Sequence, residues 1–154
     1  MAKCRVGIVG VGTFGINHLR CFRQLGYMGV AELVAAADVN EELLQERTRD
    51  FEFAPYTDYR EMIAREELDA ITVVTPDPLH REIAVYAANA GLHVLSEKPL
   101  DVTVEGCLDM IEAAEKASVL LMVDFHKRYD EYHVAMRQKV QAGDLGDIEY
   151  GYVH

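Results

Sequence analysis

Three glycines, Gly10, Gly12 and Gly15, follow the apolar run Val6–Val9 in the order VGIVGVGTFG. In this spacing the first glycine permits a tight strand-to-helix turn, the second lets backbone amides approach a pyrophosphate, and the third allows the new helix to pack closely. The chemistry is anion holding by a helix N-terminus, with no basic side chain required. Asp38 stands at the distance expected for a second element, a carboxylate at the end of the next strand that accepts both ribose hydroxyls of an adenosine. Val39 and Asn40 follow it, so no adjacent arginine invites a 2′-phosphate, and NAD is expected over NADP. Asp38 also reads as a turn residue or as the N-cap of a helix near Glu41. A methyltransferase loop would group its glycines more tightly, and Gly15 counts against one.

The elements that must position these residues alternate at short intervals. Strands are expected at Cys4–Val9, Glu32–Ala37, weakly near Phe53, at Ala70–Val74, at His93–Ser96 and at Val119–Val123. Helices are expected from the glycine loop to Gly26, from Glu41 to about Phe51, and over Tyr59–Arg65. Three more are expected at about Leu79–Ala90, Thr103–Lys116 and Tyr132–Ala142. This pattern is α/β, and right-handed crossovers give a doubly wound parallel Rossmann sheet of order 3-2-1-4-5-6. Ligands in such sheets gather beyond the carboxyl ends of the strands. The loops there hold the glycines, Asp38, Thr75 to His80, Glu97-Lys98-Pro99, and Asp124 to Arg128.

Composition narrows the partners. The chain has 154 residues, half of them hydrophobic, enough for one domain with a proper core and too few for two. A net charge of −11 argues against nucleic acid or an anionic membrane surface. No secretory leader pattern and no membrane-length apolar run is present, so a cytoplasmic location is expected. Cys4, Cys21 and Cys107 share no metal-ligand or CxxC spacing; they are expected to be free, buried thiols, and no metal site is expected.

The glycine loop, Asp38, TPDPLH, EKP and the late arginine of FHKRYD occur in the order seen in the glucose-fructose oxidoreductase and inositol dehydrogenase (Gfo/Idh/MocA) family, which this chain resembles along essentially its whole length. The resemblance implies that Gly10, Gly12 and Gly15 form the pyrophosphate loop, with the amides of Thr13 and Phe14 as donors. It implies that Asp38 takes the adenosine ribose, and that Thr75, Pro76 and His80 border the cofactor near its ribose and pyrophosphate. Glu97 would bind the nicotinamide-side ribose, Lys98 would reach the nicotinamide and the substrate hydroxyl as the catalytic group, and Arg128 would hold the nicotinamide end or a substrate oxygen.

Structural alternatives stand beside these roles: a surface position for Lys98, an idle helix-start histidine for His80, packing or a local hydrogen bond for His18, and a solvated charge pair with Asp130 or Glu131 for Arg128. The implied reaction is hydride transfer between nicotinamide and a sugar, polyol or related alcohol. The family's substrate domain supplies an Asp-xxx-His pair, and no histidine here has an aspartate four residues earlier. The expected division is therefore a dinucleotide-binding domain over residues 1–123, and a connector helix with the opening strand of a substrate domain over 124–154. By itself the chain is expected to be inactive, the cofactor portion of a homo-oligomeric enzyme. The competing reading is a free-standing NAD(H) sensor or scaffold.

Overall fold

The computed structural model describes residues 2–152. Six strands form one sheet, β1 (Cys4–Val9), β2 (Ala31–Ala37), β3 (Ala54–Tyr56), β4 (Ala70–Val73), β5 (His93–Glu97) and β6 (Leu121–Asp124). Every neighbouring pair is parallel and the order is β3-β2-β1-β4-β5-β6, as the crossover rule predicts. Between the strands run α1 (Gly15–Tyr27), α2 (Glu41–Asp50), α3 (Tyr59–Arg65), α4 (His80–Asn89) and α5 (Val104–Ala117). The strands are apolar on both faces because helices cover both. Consecutive residues divide between the two cores: Ile8 and Ala36 face Leu19 of α1 and Leu44 of α2, whereas Val9, Ala35 and Ala37 face Met62 of α3, Ile83 of α4 and Met110 of α5.

Local chemistry moves several boundaries. Pro76 precedes a short 3-10 turn, Asp77–Leu79, and Pro78 lies within it, so α4 starts only at His80. Residue Ser118 adopts a left-handed conformation (φ 56°) to end α5, and the Val119 amide donates to the Ala114 carbonyl. That use of Val119 delays β6 to Leu121. Asn40, and not Asp38, caps α2 by accepting from the Leu43 amide. The cysteines are free, but the expectation of burial fails: Cys4 and Cys21 are exposed and Cys107 is half-buried. Cys4 is the first residue of β1, and Cys21 lies on the solvent side of α1.

The molecule divides into two units, the sheet domain through Asp124 and a second unit from Phe125 onward. The second unit contains a 3-10 turn at His126–Arg128 and α6 (Glu131–Gln141), which Asp130 caps by accepting from the His133 amide at 3.2 Å. The opening strand expected within 124–154 is not formed over 142–152, the described residues after α6, and residues 153 and 154 lie outside the described ones. A strand requires a neighbour for its amides and carbonyls, and the described residues of this unit include none. Among the described residues no helix is long and apolar enough to cross a membrane.

Candidate functional site

At the carboxyl end of β1, Gly10 turns the chain with φ +97°, and a Cβ there would stand 2.6 Å from the Val74 carbonyl oxygen. Only glycine fits that turn. A Cβ on Gly15 would collide with the carbonyl oxygen of Gly10, so the third glycine is needed for contact between α1 and the loop itself. Around Gly12 the reverse holds: a Cβ would meet nothing within 4 Å, leaving its backbone open to a ligand. The amides of Thr13 and Phe14 have no hydrogen-bond partner among the described residues, and they stand at the positive end of α1.

Asp38 follows β2 and is tied into this loop. Its Oδ2 accepts from the Val11 amide at 2.9 Å and its Oδ1 from the Asn40 amide at 2.9 Å. The carboxylate thus orders the glycine loop while keeping lone pairs toward a cleft of about 300 Å³. Gly10, Gly12, Asp38, Thr75 and Pro76 line that cleft, and so do Val39 and Leu79. Thr57 and Tyr59 complete its rim from beyond β3. Burial pushes the Tyr59 phenol up to about 12, assisted by its hydrogen bond to Glu82. Arg47 of α2 reaches the Val11 carbonyl with Nε at 3.4 Å and pairs with Glu46 at 2.7 Å. Sequence adjacency to Asp38 could not have found this arginine, because the turn of α2 brings it back.

A second cleft of about 320 Å³ continues from Gly12, Thr75 and Pro76 to Glu97 and Lys98. Inside this stretch the Thr75 hydroxyl is buried with no hydrogen-bond partner among the described residues. A buried hydroxyl costs free energy unless something satisfies it, so the site suits a polar ligand. Glu97 ends β5 almost fully buried; its Oε1 lies 3.2 Å from His18 Nε2, and its Oε2 accepts from the Lys98 amide at 3.1 Å. Lys98 itself is exposed at the cleft, with Nζ 5.8 Å from the Phe14 ring centroid. The turn is fixed by a cis Lys98–Pro99 bond and by Asp101, whose carboxyl is held below its usual range by the Thr103 amide and hydroxyl.

His80 lines neither cleft. It is fully buried, with Nδ1 2.8 Å from the Pro99 carbonyl oxygen and Nε2 2.9 Å from that of Thr75. Both oxygens only accept, so a ring N–H donates to one of them while the ring sits between the two site loops and joins them. Arg128 belongs to the second unit, where its guanidinium lies 5.8 Å from the Phe125 ring and Lys127 pairs with Asp130. The sheet domain therefore brings together the three glycines, Thr13, Phe14, Asp38, Thr75, Pro76, Glu97 and Lys98, with His80 behind them. Sequence reasoning passed over Thr57 and Arg47, and gave His18 no part in the site although it shares the buried face of α1 with Gly15 and Leu19.

A larger groove of about 670 Å³ lies between α3, α4 and α5, away from the strand ends. Its walls are joined by the ion pairs of Arg60 with Glu82 and Arg81 with Asp109. Nothing in it resembles a diphosphate cradle.

Comparison with known proteins agrees with this geometry. Residues 4–125 match the model of the oxidoreductase family with an NAD-binding Rossmann fold, Gfo/Idh/MocA. The chain is 33% identical over 145 residues to inositol 2-dehydrogenase of Klebsiella pneumoniae subsp. pneumoniae, covering 92% of this chain and 42% of that one. Among solved structures, the WlbA dehydrogenase of Bordetella pertussis in complex with NADH and UDP-GlcNAcA superposes with a TM-score of 0.85 at 33% identity, over 94% of this chain and 43% of that one. Scyllo-inositol dehydrogenase of Lactobacillus casei, with bound NAD(H) and scyllo-inositol, gives 0.85 at 27% identity over 95% and 43%. The chain thus spans less than half the length of the relatives it matches. With the family's glycine loop, Asp38 and EKP turn set along one sheet edge, this chain belongs to the Gfo/Idh/MocA oxidoreductases, as an NAD-binding Rossmann domain.

Proposed function

We propose that the chain holds NAD(H) along the carboxyl edge of its sheet and serves as the cofactor half of a dehydrogenase acting on a sugar or polyol alcohol. The observation that carries this reading is the continuous pair of clefts from Asp38 through Gly12 and Thr75 to Lys98. In this reading Asp38 accepts from the adenosine ribose, between the apolar side chains of Val39 and Leu79. The diphosphate takes the amides of Thr13 and Phe14, and the Thr75 hydroxyl finds its partner beside it. Pro76 borders the same stretch, and His80 acts through the Thr75 and Pro99 carbonyls that it joins.

At the other end Glu97 accepts from the nicotinamide ribose. NAD supplies hydride transfer at its nicotinamide ring when bound. Lys98, free of any ion pair within the described residues, then handles the proton of the substrate hydroxyl. Its ammonium also lowers the cost of a developing alkoxide. Arg128 is assigned to the nicotinamide end or a substrate oxygen. The segment from residue 124 is read as the connector to a substrate-binding portion. Relatives are inositol dehydrogenases and a dehydrogenase seen in complex with UDP-GlcNAcA, which supports a polyhydroxylated substrate, and a homo-oligomeric cytoplasmic enzyme fits the same reading.

The test is direct. The purified chain should bind NADH and should form none from NAD+ with a panel of polyols and aldoses. Steady NADH formation would overturn the division of labour, and absence of NADH binding would overturn the reading as a whole.

A further inference from the structure

Buried His18 and Thr72, with half-buried Asp124, form a polar group behind the EKP turn. We propose that His18 is a positioning residue that holds the Glu97 carboxylate in the orientation the nicotinamide ribose requires, which rests on the cofactor reading above. His18 sits one turn into the helix that opens at the glycine loop, and it is only 8% exposed. Its Nε2 faces two carboxylates, Glu97 Oε1 at 3.2 Å from β5 and Asp124 Oδ2 at 3.6 Å from β6. From β4 the Thr72 hydroxyl meets Nδ1 at 3.1 Å and fixes the plane of the ring. Carboxylates only accept, so Nε2 carries the proton and donates it toward Glu97.

Glu97 is buried and Asp124 half-buried, and two carboxylates turned toward one ring nitrogen repel each other. Among the described residues the one side-chain nitrogen set against either carboxylate is His18 Nε2. Glu97 is then pinned at both oxygens, by His18 on one side and by the Lys98 amide on the other. Removing the imidazole leaves one oxygen of Glu97 without its donor and leaves the repulsion from Asp124 uncompensated. The side chain turns away from the position shared with Lys98. The effect falls on the nicotinamide half of the cofactor, because the Asp38 cleft and the Thr13 and Phe14 amides do not involve this group.

The experiment compares NADH with ADP, which has the adenosine and diphosphate but no nicotinamide ribose. NADH affinity is measured by fluorescence titration and ADP by displacement, on the purified chain and on His18→Leu, His18→Asn and His18→Gln. Leu fills the space without a donor, Asn reaches Thr72 but not Glu97, and Gln restores an N–H toward Glu97. Leu and Asn should weaken NADH by about tenfold, the scale of one charge-assisted hydrogen bond, and leave ADP within about twofold. Gln should recover most of the loss. If His18→Leu does not fold, the Asn and Gln pair decides alone.

An equal fall for NADH and ADP would overturn the proposal in favour of α1 packing, as would unchanged affinity for both. The three donor atoms lie within 4.8 Å of one another, so Zn2+ is added separately. A Zn2+-dependent rise in Tm that His18→Leu abolishes would overturn the proposal by making the group a metal site. A wild-type chain that binds neither nucleotide would instead sink the functional reading beneath it.

Discussion

Replacing Asp38 separates two things that its carboxylate does at once. In the folded chain it accepts from the Val11 amide, which is part-buried, and from the exposed Asn40 amide. With Asp38→Ala, water serves Asn40, but Val11 loses its acceptor in a buried loop, at a cost of about 2 kcal/mol. For a domain of this size that lowers Tm by roughly 7 °C. Asp38→Asn keeps one acceptor oxygen and should lose about half as much.

Cofactor choice depends on charge instead. A 2′-phosphate near this half-buried carboxylate meets a repulsion between about 1 kcal/mol, the value in water at 4 Å, and about 4 kcal/mol, the value at an effective dielectric of 20. The wild-type chain should therefore prefer NADH to NADPH by at least about tenfold, or 1.4 kcal/mol. Arg47 does not reverse this, since it is already engaged by Glu46 and the Val11 carbonyl. Both substitutions remove the charge, so both should narrow the preference to about threefold or less, although only Ala costs the full stability. Fluorescence titration of each protein with both nucleotides, beside thermal melting, measures the two effects. Equal wild-type affinities, or an Asp38→Asn protein that keeps the full preference, would refute the reasoning.

Other outcomes follow from the same geometry. Gly12→Val should melt near the wild-type temperature, because its side chain meets nothing, yet lose at least about 2 kcal/mol of NADH affinity, roughly 30-fold; Gly15→Ala should melt markedly lower, because its Cβ meets the Gly10 carbonyl. Lys98→Ala, at an exposed position, should leave Tm and NADH affinity nearly unchanged, and in a protein that carries the substrate-binding half it should lower kcat by about 10²-fold in single-turnover hydride transfer. The Asp130 carboxyl is lowered to about 2 by its hydrogen bonds from the His133 ring and amide. Its folded value lies below the unfolded one of about 3.9, so the cap on α6 is complete above that pH and is lost as pH falls through about 2. The His133 amide proton shift should titrate with that lower midpoint, and Asp130→Ala should abolish the step.

Much of this was legible in the sequence because two periodicities and one glycine pattern agree. The alternation of Val9 with Ile8, or Ala36 with Ala37, was readable as strand, and its partition between two helical layers follows from the right-handed crossover. Gly10, Asp38 and the EKP turn announced where the strands end. What was not legible depends on side chains that meet across the sequence. The family resemblance set His80 beside the cofactor, whereas its ring turns inward to two carbonyls that only the folded loops supply. His18 read as packing or a local hydrogen bond, and nothing local to α1 signals that the ends of β5 and β6 converge on it with a carboxylate each. The opening strand expected within 124–154 is not formed among the described residues after α6 for the converse reason, since a strand pattern without a partner strand does not make a strand.

The central claim is that one NAD(H) lies along the carboxyl edge of the sheet from Asp38 to Lys98. Following backbone amide shifts of the isotope-labelled chain during an NADH titration tests it most directly. The account predicts saturable shifts at Gly12, Thr13, Phe14, Val39, Thr75, Glu97 and Lys98, with the groove around Arg60, Arg81 and Asp109 silent. Shifts concentrated in that groove, or no saturable shift at the strand ends, would contradict it.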